Sequence, residues 1–209
     1  MNALRSKHRK PVSSRPASAR ERIDQTAYEL FSRHGIRAVG IDTVVAHSGV
    51  AKMTLYRHYP SKDKLALAFL RRREELWTRT WLQAEVERRA QVPEERLLAV
   101  FDVFDKWFRR SDFEGCSFVN ALLEQTDLRH PVRNAAVRHL ETIGALLRQW
   151  VEDAGVRKPD RVARQWQILM MGSIVAAHAG DMNAARRARD VGLLLLAREG
   201  VAIGRTVRA

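Results

Sequence analysis

Residues Thr43 to Lys62 read TVVAHSGVAKMTLYRHYPSK and contain no carboxylate. Within this run Lys52, Thr54, Tyr56, Arg57 and His58 offer cations, hydroxyls and ring nitrogens at close spacing. Such groups donate hydrogen bonds to phosphate oxygens and to base edges. A carboxylate among them would be repelled by phosphate, so its absence carries information. Charge points the same way. Residues 1–64 hold 13 Lys/Arg against 5 Asp/Glu, whereas residues 65–209 hold 24 against 19. A basic excess concentrated in the first third suits a polyanion, whose condensed counterions are released when cations displace them. A helical enzyme with a basic surface is the competing class. The chain has no glycine-rich phosphate loop, no nucleophile–base pair and no carboxylate dyad that would serve one. His130, His139 and His178 lack metal-ligand spacing with one another and with the lone cysteine, Cys116, so neither a metal nor a cofactor is expected. A non-specific nucleic-acid packaging protein is the third class, and an ordered reading helix argues against it.

The donor row needs elements to position it. Ser18 can cap a first helix whose Ile23, Ala27, Leu30 and Phe31 recur at helical spacing, with Gly35 as its stop. A second helix is expected over Ile41–Ser48 and a third over Lys52–Tyr59, with Gly49 at the turn between them. Pro60 ends the third, because the residue before a proline avoids helical backbone. Ser61 then caps a fourth, with Asp63 near its positive end. Val50, Leu55 and Tyr59 form the inner face of the third helix, leaving the donors outside. A helix so presented fits a major groove about 12 Å wide.

Longer helices follow. Leu65, Phe69, Leu76 and Trp81 mark a stripe on the fourth; Leu97, Phe101, Phe104 and Phe108 follow Pro93; further helices begin at Pro131, Pro159 and Asn183. The pattern predicts an all-α chain of about nine helices without strands. It divides into a disordered basic arm at 1–17, a helix-turn-helix domain at 18–64 and a helical domain at 65–209. The apolar stretch Ile168–Ala179 is too short to span a bilayer, so a soluble, cytoplasmic protein without a membrane partner is expected.

Residues Arg20–Leu70 resemble the DNA-binding domain of the TetR family of transcriptional regulators. The resemblance rests on Ala27, Phe31, Gly35, the phrase Val44–Val50 and above all Lys52-Met53-Thr54-Leu55-Tyr56-Arg57-His58-Tyr59-Pro60-Ser61-Lys62-Asp63-Lys64-Leu65. It implies that Thr54, Tyr56, His58 and Lys62 meet phosphates or bases. Lys52, Met53 and Arg57, which vary among members, become the candidates for sequence readout. Many members carry Ser or Thr where Gly40 stands, and Thr43, one turn further, is a candidate to replace that hydroxyl. Gly115–Asn120 is similar to a segment found in one subset of members.

The resemblance further implies a homodimer formed through the last two helices and reading a palindromic operator in double-stranded DNA. Small residues between Val162 and Gly180, extended by Gly192 and Leu193–Leu196, suit close helix approach. It also implies a small-molecule effector held among the middle helices. Candidate lining residues are Trp77, Trp81, Phe104, Trp107, Phe108, Phe113, Phe118, Trp150, Trp166 and Met170, joined by Cys116 and Asn120; Glu124, Gln125 and Gln167 could orient polar groups. Aromatic lining points to an apolar or aromatic effector and to a repressor that it releases. Two alternatives stay open: a redox-responsive regulator sensing through Cys116, and a regulator without an effector.

Overall fold

A computed structural model describes residues 16–202. The arm expected at 1–17 lies outside these residues but for Pro16 and Ala17. All regular structure among the described residues is helical. Helix α1 spans Ala19–His34, α2 Ile41–Ser48, α3 Lys52–His58 and α4 Lys62–Glu74. A π-helical segment, Glu75–Gln83, continues α4 into α5, Ala84–Arg89. Then come α6 Pro93–Phe108, α7 Ser117–Glu124, α8 Pro131–Asp153, α9 Pro159–His178 and α10 Ala184–Arg198. Counting the rod from Lys62 to Arg89 once gives nine helices among the described residues, the number expected.

Local chemistry explains the first three boundaries. Ser18 and Glu21 form a reciprocal capping box, Glu21 Oε2 accepting the Ser18 N–H at 2.7 Å. Gly49 closes α2 in the left-handed region at φ 62°, its N–H on the Val45 carbonyl, and so turns the chain into α3. Ser61 caps α4 by accepting the Lys64 N–H.

The rod departs from the stripe read in the sequence. Leu65 and Phe69 are buried, but Leu76 is exposed. The π segment takes more residues per turn than the 3.6 of an α-helix, which rotates the inward face; Thr78, Leu82 and Val86 become the buried positions beyond it. The Thr80 hydroxyl donates to the Glu75 carbonyl within that segment.

Two hydrophobic cores result. One joins α1, α2 and α3 to the first half of α4, and also to Phe118 and Ala121 of α7 and Val132 and Ala136 of α8. The reading helices therefore share a core with the C-terminal body, and that core runs past residue 64. His139 of α8 belongs to the same junction. Its ring stacks on Phe118 at 3.3 Å between centroids, and burial pushes its pKa down to about 4. The Glu74 carboxylate, 4.0 Å from Nδ1, is beyond hydrogen-bond length, and burial dominates. The ring is thus neutral in the fold. Between about pH 6.5 and 4 the unfolded chain takes a proton that the folded chain refuses, so stability should fall by about 3 kcal/mol across that window. Thermal melts across it should show a flatter profile for His139→Gln; an identical slope would refute this.

The second core packs α6, α8, α9 and α10 around Trp166, whose indole N–H donates to the Leu97 carbonyl at 3.2 Å. Gly192 of α10 lies against that indole: a Cβ there would stand 2.7 Å from Trp166 Cη2 and 3.4 Å from Phe101 Cε2. Gly192 therefore serves the interior of the fold, not the dimer face expected for it. Gly192→Ala brings a Cβ inside contact distance of a buried indole, so overpacking at the upper end of its range, about 2–3 kcal/mol, should outweigh the ~1 kcal/mol that alanine gains in a helix and leave a net destabilisation of about 1–2 kcal/mol. An unchanged or raised melting temperature would contradict this reading.

Candidate nucleic-acid interface and interdomain cleft

Helix α3 is only seven residues long and has no side-chain N-cap. Isolated helices of that length do not persist in water. Its position depends on Leu55, fully buried, and on Val50 and Tyr59 beside it. The Tyr59 hydroxyl donates to Asp24 of α1, and the Arg20 guanidinium lies 5.8 Å from the Tyr59 ring. Arg22 reaches the Gly49 carbonyl at the turn. The inner face of α3 is thus tied to α1, and its outer face is left to solvent.

On that outer face Met53 is 75% exposed, and Lys52, Tyr56, Arg57 and His58 are exposed with it. Thr54 is half-buried at the first turn. Lys52 Nζ lies 2.7 Å from Asp42 Oδ1, an acid one residue before the carboxylate-free run. Thr43 is exposed on α2, and its carbonyl contacts His47 Nδ1 at 2.8 Å. Gly40 caps α2 with extended backbone, and a Cβ there would meet Thr43 Oγ1 only at an ordinary 3.8 Å. Glycine at this position is not required by packing.

Lys62 has a place that the resemblance does not imply. Its ammonium donates to the Arg37 carbonyl at 3.1 Å, and burial lowers its pKa while Glu124 and Asp63 raise it. Glu124, at the end of α7, accepts the Arg37 N–H at 2.9 Å. The loop between α1 and α2 is therefore clasped from both sides, by α4 and by α7. Glu124 was a candidate for orienting an effector; the structure gives it to this loop.

The aromatic candidates separate into two groups. Trp77 and Trp81 of the π segment and Trp107 of α6 cluster with centroids 5.3–5.8 Å apart and line a cleft of about 640 Å³. Its opposite wall comes from α1 and α2, including Gln25, Tyr28, Glu29, Ser32 and His47. Phe104 and Phe108 are buried behind Trp107, with Phe113 edge-on at 4.9 Å. Cys116 and Phe118 border a small gap behind Trp77 and Trp107. Trp150, Trp166 and Met170 fill the core between helices and are absent from the cleft wall, because α6, α8, α9 and α10 close around them. Asn120 and Gln125 are half-buried on and beyond α7, away from the cleft, and Gln167 donates to the Leu140 carbonyl. Burial pushes the Cys116 thiol up, overriding the lowering expected from its place at the start of α7. Among the described residues no group of His, Cys, Asp and Glu could hold a metal ion, and no helix is long and apolar enough to cross a membrane.

The chain matches the family model for bacterial regulatory proteins of the tetR family over residues 23–69. It matches the model for a tetracyclin repressor-like C-terminal domain over residues 93–191. The chain belongs to the TetR family. It is a DNA-binding transcriptional regulator of helix-turn-helix type, not an enzyme. Among relatives of this chain, the HTH-type transcriptional regulator YjdC of Escherichia coli is 23% identical over 192 residues, covering 88% of this chain and 98% of that one. A TetR-family transcriptional regulator of Streptomyces coelicolor superposes with a TM-score of 0.76 at 27% identity, covering 88% of this chain and 96% of that one. A TetR-type chain from Streptomyces avermitilis gives a TM-score of 0.80 at 27% identity, over 89% and 100%.

Sequence reasoning missed the α1 side of the cleft in this TetR member. A second stripe at Gln25, Tyr28, Glu29 and Ser32, offset from the buried Ile23, Ala27 and Phe31, was the available signal. Arg73 and Arg110 were missed too: they read as solvated charge until the fold brings them to the cleft.

Proposed function

We propose that this TetR-family protein is a homodimeric repressor that binds a palindromic operator through α3 and leaves it when a small aromatic effector binds. The observation that carries the DNA half is the outer face of α3. Five donor side chains and an exposed methionine share one short helix, fixed from behind by Leu55 and Tyr59. Tyr56, Thr54 and His58 take phosphates, which set register; Lys52, Met53 and Arg57 read base edges. Lys52 first exchanges Asp42 for its nucleic-acid partner. Lys62 contributes from the clasp on Arg37, holding the loop ahead of α2.

Dimerisation through α9 and α10 is supported by apolar surface. Ile168 and Val175 of α9 and Val191 and Leu194 of α10 are exposed, Leu194 by 72%. A Cβ at Gly172, between Ile168 and Val175, would meet nothing. An apolar stripe of this kind on adjacent helices marks an association face, and a two-fold dimer would present α3 to both half-sites of a palindrome. The raised Cys116 thiol gives no support to redox sensing. The test is a titration of an operator, enriched from random duplexes, with wild type and the Tyr56→Ala/Lys62→Ala double variant. Circular dichroism would confirm that the variant is folded. Loss of at least tenfold in affinity is expected; equal affinity would end the assignment.

A further inference from the structure

We infer that the cleft between α1 and the tryptophan cluster is a binding site for a planar aromatic carboxylate, and that the reading head itself supplies one wall of it. This deepens the effector half of the proposed function and rests on it for the consequence of binding, but not for binding itself.

The apolar part comes from the half-buried Trp77 and Trp81, with Trp107 beneath them and Tyr28 opposite. Rings at these spacings accept a further flat ring by offset or edge contact. The polar part fixes the ligand's charge. Each carboxylate on the wall already has a partner: Asp112 is held by both Arg110 Nε and Nη2, at 2.7 and 2.6 Å. Glu114 pairs with Arg33 at 3.6 Å, and Glu29 accepts from Gln25 at 2.6 Å. Arg73 differs. Its guanidinium donates to the Tyr28 hydroxyl at 2.8 Å and lies 5.6 Å from that ring, and among the described residues it makes no ion pair with a carboxylate. One turn further along, the Trp77 indole N–H is buried without an acceptor. The wall thus holds one cation without an ion pair among the described residues, Arg73, while Glu29, the carboxylate without a cation, has an oxygen engaged by the Gln25 amide. Beside the tryptophans Arg73 would repel a cationic ligand, whereas a carboxylate there gains a charge-assisted bond from it.

Position gives the consequence. The tryptophan side belongs to the rod and α6, and the other side to α1 and His47 of α2, which ends at the Gly49 turn before α3. A ligand in the cleft touches the reading head directly. Any arrangement of head against body that binds the ligand better becomes more populated when it is present.

The experiment uses full-length protein without DNA. Indole N–H resonances are assigned through single Trp→Phe variants and followed while 2-naphthoate, its neutral amide 2-naphthamide or the cation trimethyl(2-naphthyl)ammonium is added. Naphthoate should shift the Trp77, Trp81 and Trp107 signals, leave Trp150 and Trp166 in place, and bind more tightly than the amide. Arg73→Met should weaken naphthoate roughly tenfold to a hundredfold, the range of one charge-assisted bond, without weakening the amide. Arg73→Lys should restore part of the loss, and thermal melts of both variants establish that they fold. Three results would overturn the inference: no shift at millimolar naphthoate, shifts confined to Trp150 and Trp166, or tighter binding of the amide or the cation. Failure of operator binding with these shifts intact would sink the repressor reading alone; loss of the shifts with operator binding intact would sink this one alone.

Discussion

Arg57→Ala is expected to weaken binding to the selected operator by about 2–6 kcal/mol, roughly thirtyfold to more than ten-thousandfold. A bidentate contact to guanine is worth ~1–3 kcal/mol of discrimination, and a two-fold dimer makes it twice. Arg57 is exposed on α3 and has no ion pair among the described residues, unlike Lys52, which Asp42 holds. Its full loss should therefore appear on the cognate site. Random duplex should lose far less, because there the arginine contributes one cation to a phosphate. Arg57→Lys should recover affinity for random duplex but not for the operator, since an ammonium cannot span both guanine acceptors. Competition titrations at fixed salt decide this. Equal losses on both duplexes would make Arg57 a phosphate contact and move readout to Lys52 and Met53.

Leu55→Ala should cost about 2–5 kcal/mol of folding free energy, the range for truncating a fully buried leucine. Leu55 has no exposed surface and belongs to the core shared by α1, α2 and the start of α4. The functional loss should exceed the global one. With seven residues and no N-cap side chain, α3 has little to hold it besides Leu55, Val50 and Tyr59. Operator binding should vanish at concentrations where urea denaturation still shows a folded body around Trp166. A variant that binds DNA normally, or loses less than about 0.5 kcal/mol, would show that α3 is positioned by something other than its inner face.

The reading head was legible because its signals are local. Ser18 with Glu21, Gly49, Pro60 and Ser61 each act within a few residues, and the string from Lys52 to Leu65 contains a whole helix, its stop and the next cap. The all-α class followed from apolar spacing at 3.6 residues. Where the spacing changes, as at Glu75–Gln83, the same reasoning placed Leu76 inside when it lies outside. Contacts made across the fold were not legible. Glu124 and Arg37 lie 87 residues apart, and nothing near either predicts that one accepts the other's N–H. Tryptophans were equally ambiguous. Trp77 and Trp166 have the same chemistry in sequence, yet one borders a cleft and the other fills a core beside Gly192. Arg73 was hidden among Arg71 and Arg72 until its bond to the Tyr28 hydroxyl and its place on the cleft wall distinguished it.

The most direct measurement of the central claim is selection of bound duplexes from a random pool by the full-length protein, followed by sequencing. If α3 reads bases from a two-fold dimer, one site should be enriched. It should be palindromic, with half-site centres about one helical turn, 34–36 Å, apart or a multiple of that, and Arg57→Ala should relax one position in each half. A pool that stays random after repeated rounds, or an enriched site without two-fold symmetry that Arg57→Ala leaves unchanged, would contradict the account.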